Sequence, residues 1–266
     1  MSEKTHQIEG DEYEDNHDPK VMGLMDHLDE MRSRIVKSIL AILALFVTTF
    51  GFANEVLLFL SKPLLAITPE GANPLHFTGP LEVFVAQIKV SFLTAVVASC
   101  PIWFYQFWRF IEPALYENER KYILPFAFAS ASLFLGGVGF CFFIMLPMAL
   151  EFLMGLGPQA GIVSILTVSE YISFLMILIL GFGLIFETPV VLVLLAMLDL
   201  ITAEGLSRNR KIILVGILTV GAIITPPDPL SQIMMAVPTY LMFELSILFI
   251  KMIQKGNKET MPQVTK

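Results

Sequence analysis

A single glutamate interrupts one of the longest apolar runs of the sequence. Glu187 follows the apolar segment 182–186 and directly precedes Thr188 and Pro189, and Pro189 is expected to kink the helix near the glutamate. A carboxylate at membrane depth costs on the order of several kcal/mol unless it is protonated, hydrogen-bonded or hydrated, so such residues usually mark functional sites. Two interpretations stay open: a polar or proton-linked site inside the bilayer, or a structural hydrogen bond that holds helices together.

A second candidate region is the stretch Trp103–Tyr122, which begins with closely spaced aromatic residues and continues with charged ones. Its aromatic half is also typical of an interfacial belt. The acidic residues that follow, Glu112, Glu117 and Glu119, suit a cationic partner. Two adjacent arginines match such carboxylates best, because a guanidinium group forms bidentate hydrogen bonds with a carboxylate. This stretch therefore predicts a recognition site.

Motifs for other chemistry are missing from the sequence. There is no Walker A loop, no Rossmann glycine pattern and no HExxH motif, which argues against nucleotide-driven or zinc-dependent activity. Cys100 and Cys141 both lie in apolar runs, where buried thiols are expected rather than a disulfide framework. We expect no enzymatic activity, no cofactor, no metal and no nucleic-acid partner.

The composition indicates an integral membrane protein. The 266 residues are 55% hydrophobic and only 15% charged, whereas soluble domains carry about 25% charged residues. Acidic residues are concentrated before residue 20, although the net charge of the whole chain is only −7. Residues 1–20 are therefore predicted to form a disordered acidic tail, followed by one membrane domain at 21–252 and a cytoplasmic tail at 253–266.

Six apolar runs predict six transmembrane helices and an all-α, polytopic fold, since about 20 apolar residues cross a bilayer. The predicted spans are 35–53, 84–104, 123–150, 171–198, 212–224 and 230–250. The fifth and sixth are predicted to be short and to form a hairpin around Pro226, Pro227 and Pro229. Such a hairpin is expected to thin the bilayer locally.

Basic residues alternate between the predicted loops and favour cytoplasmic N- and C-termini. They lie before span one, between spans two and three, between spans four and five, and after span six. A re-entrant pair for the last two spans would preserve the same pattern, so the depth of this hairpin stays open. Residues 23–35 predict an amphipathic helix at the membrane surface that runs into span one. In the outer loop 54–82, Pro63 is expected to break a short interfacial helix.

Several motifs together resemble the TatC family, the polytopic subunit of the twin-arginine protein translocase. The matching segments cover nearly the whole chain and are HLDEMR at 27–32, YQFW at 105–108, FIEPALY at 110–116, ER at 119–120, FETP at 186–189 and TPPD at 225–228. The resemblance implies a receptor for signal peptides that carry two consecutive arginines. Its binding site would lie on the cytoplasmic face, formed by the N-terminal helix and the first cytoplasmic loop.

The resemblance also assigns expected roles to individual residues. Glu30 and Glu119 would meet the arginine pair, with Phe110 packed beside them and Arg32 shaping the site. Thr225 and Gln232 match positions where single-span partners dock. Pro63, Asp228 and the intramembrane Glu187 match further residues of the family. Glu112 is a departure, since many relatives have a neutral residue there, and it would add negative charge to the receptor surface.

The implied function is that of a receptor and core subunit in the bacterial inner membrane. It would bind folded cargo through the signal peptide and recruit the partners TatA and TatB, together with further copies of itself and membrane lipid. The energy would come from the proton-motive force. The rival interpretation is a proton-coupled secondary transporter that uses Glu187, although no internal repeat of the kind typical of transporters is evident.

Overall fold

The computed structural model describes residues 24–68, 75–115, 120–159, 166–224 and 229–260, and these are almost entirely helical. The elements in chain order are α1 (Leu24–Phe50), α2 (Ala53–Ile67), β1 (Leu75–His76), α3 (Pro80–Ala98), α4 (Cys100–Ile111), α5 (Ile123–Phe140), α6 (Leu146–Gln159), β2 (Leu166–Thr167), α7 (Val168–Ile185), α8 (Thr188–Met197), α9 (Ala203–Arg208), α10 (Arg210–Ile224) and α11 (Pro229–Thr260). The predicted all-α, polytopic class is confirmed.

Five segments of the described residues are long and apolar enough to cross a membrane. They are Leu28–Phe50, Pro80–Ala98, Arg120–Gly155, Val168–Met197 and Gln232–Gln254. These segments correspond to predicted spans one to four and six. Helix α10, the predicted fifth span, has 15 residues and is short, as expected. The total of six spans and the cytoplasmic location of both termini stay predictions.

The last helix is longer than the predicted short span. Helix α11 contains 32 residues, and its apolar part alone is of ordinary membrane-spanning length. It also continues through Thr260, so the polar residues that follow Lys251 are helical up to that point. Lys and Glu are good helix formers, which allows the helix to continue beyond its apolar part.

Two of the predicted spans contain breaks that hydropathy does not show. Span two ends as α3 at Ala98, and α4 starts at Cys100 with Pro101 in its first turn. Span four is divided into α7 and α8, with Pro189 at the start of α8. This second break lies at Glu187, where the missing amide hydrogen and the ring of a proline were expected to kink the helix. Between α5 and α6, residues Cys141–Met145 form a π-helical segment.

The N-terminal amphipathic segment and span one form one continuous helix, α1, of 27 residues. The sequence had predicted a surface helix that leads into the span. Many apolar side chains of α1, Val47 among them, are exposed on the outside of the bundle. This exposure is expected for a lipid-facing helix, since lipid replaces the protein core as the apolar environment.

The prediction that Pro63 breaks an interfacial helix is wrong. Pro63 is buried inside α2, which continues to Ile67. The neighbouring Leu60 and Leu64 are packed in the main core, and the Tyr171 hydroxyl donates a hydrogen bond of 2.6 Å to the Leu60 carbonyl. These contacts hold the helix on both sides of the proline and outweigh the loss of one backbone hydrogen bond.

At one end of the bundle, the predicted outer loop 54–82 pairs with the residues that directly precede α7. Strands β1 and β2 pair in parallel, with Leu75 opposite Leu166 and His76 opposite Thr167. The Glu82 carboxylate accepts a hydrogen bond of 3.0 Å from the Ser169 backbone amide at the start of α7. Two residues are too few to show a strand pattern in the sequence, so this parallel pairing of distant segments could not be predicted.

Helix α7 lies at the centre of the main core, where Tyr171, Ile172, Leu175 and Phe182 are almost fully buried. It approaches α5 closely at two glycines. A Cβ atom on Gly137 would lie 2.6 Å from the Phe182 carbonyl oxygen, and a Cβ atom on Gly183 would lie 2.6 Å from the Phe134 ring. Because neither glycine has a side chain, the end of α7, where the helix breaks, can pack directly against α5.

Candidate functional site

The Glu30 carboxylate is held by an arginine of its own helix. In α1, Arg34 follows Glu30 by four residues, so both side chains lie on the same helix face. The Arg34 Nε atom donates a hydrogen bond of 3.0 Å to Glu30 Oε1, and Nη2 of the same guanidinium group contacts the same oxygen. The other carboxylate oxygen, Oε2, is buried and has no hydrogen-bond partner among the residues that the structure describes.

The same arginine connects α1 with α4. Its Nη1 atom donates to the side-chain oxygen of Gln106 at 3.4 Å. Glu30, Arg34 and Gln106 form what we call the Glu30 cluster. The side chains of Glu30 and Arg34 are 23% and 16% exposed, respectively, so this ion pair is partly shielded from water and less screened than a surface pair. The sequence had identified Glu30 but had counted Arg34 only among the basic residues near span one.

The aromatic residues of α4 face in two directions. Trp108 is 2% exposed, and its ring stacks on Phe126 of α5 with 4.9 Å between centroids. Its Nε1 atom donates a hydrogen bond of 3.0 Å to the Ser130 hydroxyl. Phe107 and Tyr105 are exposed instead. The predicted aromatic cluster is therefore half core and half surface, and Trp108 belongs to the core.

After α4 the chain turns at Glu112–Ala114, and a second short turn, Arg120–Tyr122, leads into α5. Glu112 forms an ion pair of 2.7 Å with Arg109 at the end of α4, which offsets its negative charge. Phe110 is partly buried near the end of α4. Glu119 lies outside the described residues, so its role with Glu30 in binding an arginine pair stays a prediction.

The other residues implied by the resemblance lie apart from the Glu30 cluster. Arg32 is exposed on α1, on a different face from Arg34. Gln232 lies near the start of α11 and donates a hydrogen bond of 3.0 Å to the Leu218 carbonyl of α10. It therefore links the last two helices. Thr225 and Asp228 lie outside the described residues.

Glu187 lies at the break between α7 and α8 and is 6% exposed. Its carboxyl group lies close to the Ser130 side chain and the Phe134 backbone of α5. No described residue binds its Oε1 atom. The Ser130 hydroxyl accepts the hydrogen bond from the Trp108 indole of α4, and it also lies close to the intramembrane Glu187. Nothing in the sequence singled out Ser130, since only the packing of α5 brings it to these residues.

Further acidic and basic residues make structural contacts. Arg210 binds Glu244 through two hydrogen bonds of 2.7 and 2.9 Å, and the Tyr240 hydroxyl donates to the same carboxylate. Lys89, predicted to extend toward the interface, donates to the Ser173 hydroxyl at 2.8 Å. Among the described residues, no group of three or more His, Cys, Asp and Glu side chains is placed to hold a metal ion.

The helices and the Glu30 cluster indicate a polytopic helical membrane protein with a carboxylate–guanidinium cluster where α1 meets α4. Comparison with known proteins specifies the family. Residues 26–238 match the family model described as "Sec-independent protein translocase protein (TatC)". Because this match covers most of the chain, the protein belongs to the TatC family.

Individual relatives agree with this assignment. The chain is 37% identical to the Sec-independent protein translocase protein TatC of Escherichia coli (strain K12) over 226 residues, or 85% of this chain and 87% of that relative. It is 41% identical to the protein of the same name from Aquifex aeolicus (strain VF5), over 90% of this chain and 98% of that one.

Solved structures show the same fold. The chain is similar, with a TM-score of 0.74 and 41% identity, to a structure described as "Crystal Structure of Twin Arginine Translocase Receptor- TatC", over 85% of this chain and 98% of that one. A second structure of that receptor, in DDM, has a TM-score of 0.75 and covers 84% of this chain. The chain is thus a membrane component of a Sec-independent protein translocase.

Proposed function

We propose that this chain is the signal-peptide receptor of its translocase and that the Glu30 cluster is part of the binding site. The observation that carries this proposal is the Glu30 carboxylate itself. It is fixed near the start of α1, it is already matched to one guanidinium group, and it has one oxygen without a partner. A signal-peptide arginine supplies the donors that this oxygen lacks.

The second half of the proposed site is the loop that follows α4. Glu119 would provide the second carboxylate, Phe110 would pack beside the peptide, and Arg32 would shape the site from α1. Support comes from the position of α4, which is linked to α1 by the hydrogen bond between Arg34 and Gln106. The loop therefore starts from a helix that is fixed relative to Glu30.

The proposed site lies on the cytoplasmic face of the inner membrane, as the distribution of basic residues favours. The same proposal includes recruitment of the single-span partners TatA and TatB, with Thr225 and Gln232 as docking positions, and export driven by the proton-motive force. Pro63 and Asp228 would have structural roles near the opposite face. Several copies of the chain would form the receptor complex.

The test is direct binding of a synthetic signal peptide to the purified full-length chain in lipid nanodiscs. The Arg-Arg peptide is expected to bind at least about tenfold more tightly than a Lys-Lys peptide, since lysine lacks the planar pair of donors. Glu30→Gln and Glu119→Gln should each reduce this preference. Equal binding of both peptides, or a preference that neither substitution changes, contradicts the receptor proposal.

A second candidate function is proton-coupled transport through Glu187. The observation that favours it is a buried carboxyl group at a helix break with one unpartnered oxygen. Substitution Glu187→Gln separates the two candidates. It should leave peptide binding intact if the chain is a receptor, and proteoliposomes should then show no proton flux that depends on this residue.

A further inference from the structure

The Glu30–Arg34 pair is unusual in how its hydrogen bonds are distributed. A guanidinium group commonly binds both oxygens of a carboxylate in parallel. Here the Nε and Nη2 atoms of Arg34 both contact Oε1, whereas Oε2 is buried and has no partner in the described parts of the chain. A buried acceptor without a donor is costly, so this arrangement fits an incoming donor better than it fits a closed structural pair.

The remaining guanidinium nitrogen of Arg34 binds a residue of another helix. Its Nη1 atom donates to Gln106 of α4 at 3.4 Å. One side chain therefore touches the acid on α1 and the helix that leads to the loop with Glu119. By contrast, the Arg109–Glu112 pair joins the end of α4 to the turn that directly follows it, with side chains that are 43% and 26% exposed. Arg34 connects two helices, whereas Arg109 does not.

From these contacts we infer that Arg34 is a positioning residue of the signal-peptide site, which turns Glu30 Oε2 toward the incoming arginine and holds α1 against α4. This inference rests on the proposed receptor function and deepens it. Arg34 remains bound to Oε1 while the peptide arginine binds Oε2. Gln106 is the second member of this positioning system.

Charge alone predicts the opposite effect of Arg34. The arginine is a cation beside the site of a cationic ligand, so by Coulomb repulsion its removal should tighten peptide binding. If Arg34 positions the carboxylate, its removal should weaken binding. The sign of the change in affinity therefore separates the two explanations.

The experiment measures binding of fluorescent Arg-Arg and Lys-Lys peptides to the full-length chain in phosphatidylcholine nanodiscs. Arg34→Gln should weaken Arg-Arg binding about tenfold, as expected for lost hydrogen bonds to a charged group. The matched control is Lys37→Gln, which removes the same charge from an exposed position of α1 and should change the affinity by less than about twofold.

A thermal unfolding scan will show whether Arg34→Gln folds. If it does not, two milder variants test the same inference. Arg34→Lys keeps the charge but loses the planar fork and should weaken binding about fivefold. Gln106→Leu removes the acceptor on α4 and should weaken it about threefold. In each variant the ratio of Arg-Arg to Lys-Lys affinity should fall, which a smaller folded fraction alone would not cause.

A double-mutant cycle tests whether Arg34 acts through Glu30. The combined variant Glu30→Gln, Arg34→Gln should bind about as weakly as Glu30→Gln alone. Additive losses, or an Arg34→Gln variant that binds as tightly as the wild type or more tightly, would overturn the inference while leaving the receptor function standing. A wild type that does not distinguish the two peptides contradicts the receptor function, and this inference with it.

Discussion

Two glutamates each have one buried carboxylate oxygen that no described residue binds, yet their surroundings differ. Glu30 is paired with Arg34 and lies in a partly exposed cluster. Glu187 is 6% exposed and forms no ion pair with any described residue. A carboxylate with a counter-ion can keep its charge and take a second cation. A buried carboxyl group without one is stable only as a neutral, hydrogen-bonded group or where water reaches it.

Under the proposed function, these two acids have different roles. The Glu30 cluster, where α1 meets α4, would bind a charged ligand. Glu187 is held inside the helix packing, beside Ser130 and at the close contact of α5 with α7. The environment of Glu187 depends on the packing of α5 against α7. The environment of Glu30 depends instead on the charge of the neighbouring Arg34.

The largest expected effect tests whether helix packing holds the Glu187 region. Gly137→Val should lower the free energy of unfolding by about 3 kcal/mol, because even a Cβ atom at this position meets the Phe182 carbonyl oxygen and the Phe186 side chain. The neighbouring Gly136 is the matched control, since a Cβ atom there meets nothing within 4 Å. Thermal unfolding of both variants in the same detergent measures the difference. Equal midpoints would show that α5 and α7 are not closely packed at this point.

Neutralising Glu30 and Glu187 separately tests whether only the first of these acids takes part in peptide binding. Glu30→Gln should weaken binding of the Arg-Arg peptide about tenfold, because it removes the charge that the guanidinium group meets. Glu187→Gln should change this affinity by less than about twofold, since Glu187 is buried in the bundle. Peptide titration of both variants measures the effect.

An export assay on the same variants then addresses Glu187. If Glu187 is a functional intramembrane site, Glu187→Gln should reduce export while peptide binding persists. Normal export in this variant would assign Glu187 a structural role, and a loss of peptide binding would show that the two acids are coupled.

The hydrogen bond between α4 and α5 lies between the two regions. Trp108→Phe should lower the free energy of unfolding by about 1–2 kcal/mol, because it removes the indole donor to Ser130 inside a buried contact. Phe107→Leu is a suitable control, since Phe107 is 49% exposed, and should have little effect in the same chemical or thermal unfolding assay. A Trp108 variant that is as stable as the Phe107 variant would show that this hydrogen bond adds nothing.

The smallest effect is expected for the Arg109–Glu112 pair at the end of α4. Arg109→Gln should change the free energy of unfolding by only about 0.3–0.5 kcal/mol, as is usual for an exposed local pair. This difference should vanish in high salt, whereas the effect of Arg34→Gln on peptide binding should persist because that pair is partly shielded. Unfolding and peptide titration at low and high salt provide the measurement.

The sequence predicted the membrane class and most of the helices correctly because both depend on runs of apolar residues. The short α10 and the break at Glu187 followed from the length of a run and from Pro189. The break at Ser99, the π-helical segment and the intact α2 around Pro63 were not predicted, because each depends on contacts with other helices.

For the candidate site, local composition and spacing were sufficient to predict the chemical types of the residues: Glu30 in an amphipathic segment, the aromatic and acidic stretch after span two, and Glu187 in an apolar run. Which of these residues contact one another depends on how the helices pack. Gln106 reaches Arg34 across 72 positions of sequence, and Trp108 and Glu187 approach Ser130 from two different helices. Contacts of this kind arise from helix packing, which a periodic pattern of apolar residues allows in many arrangements.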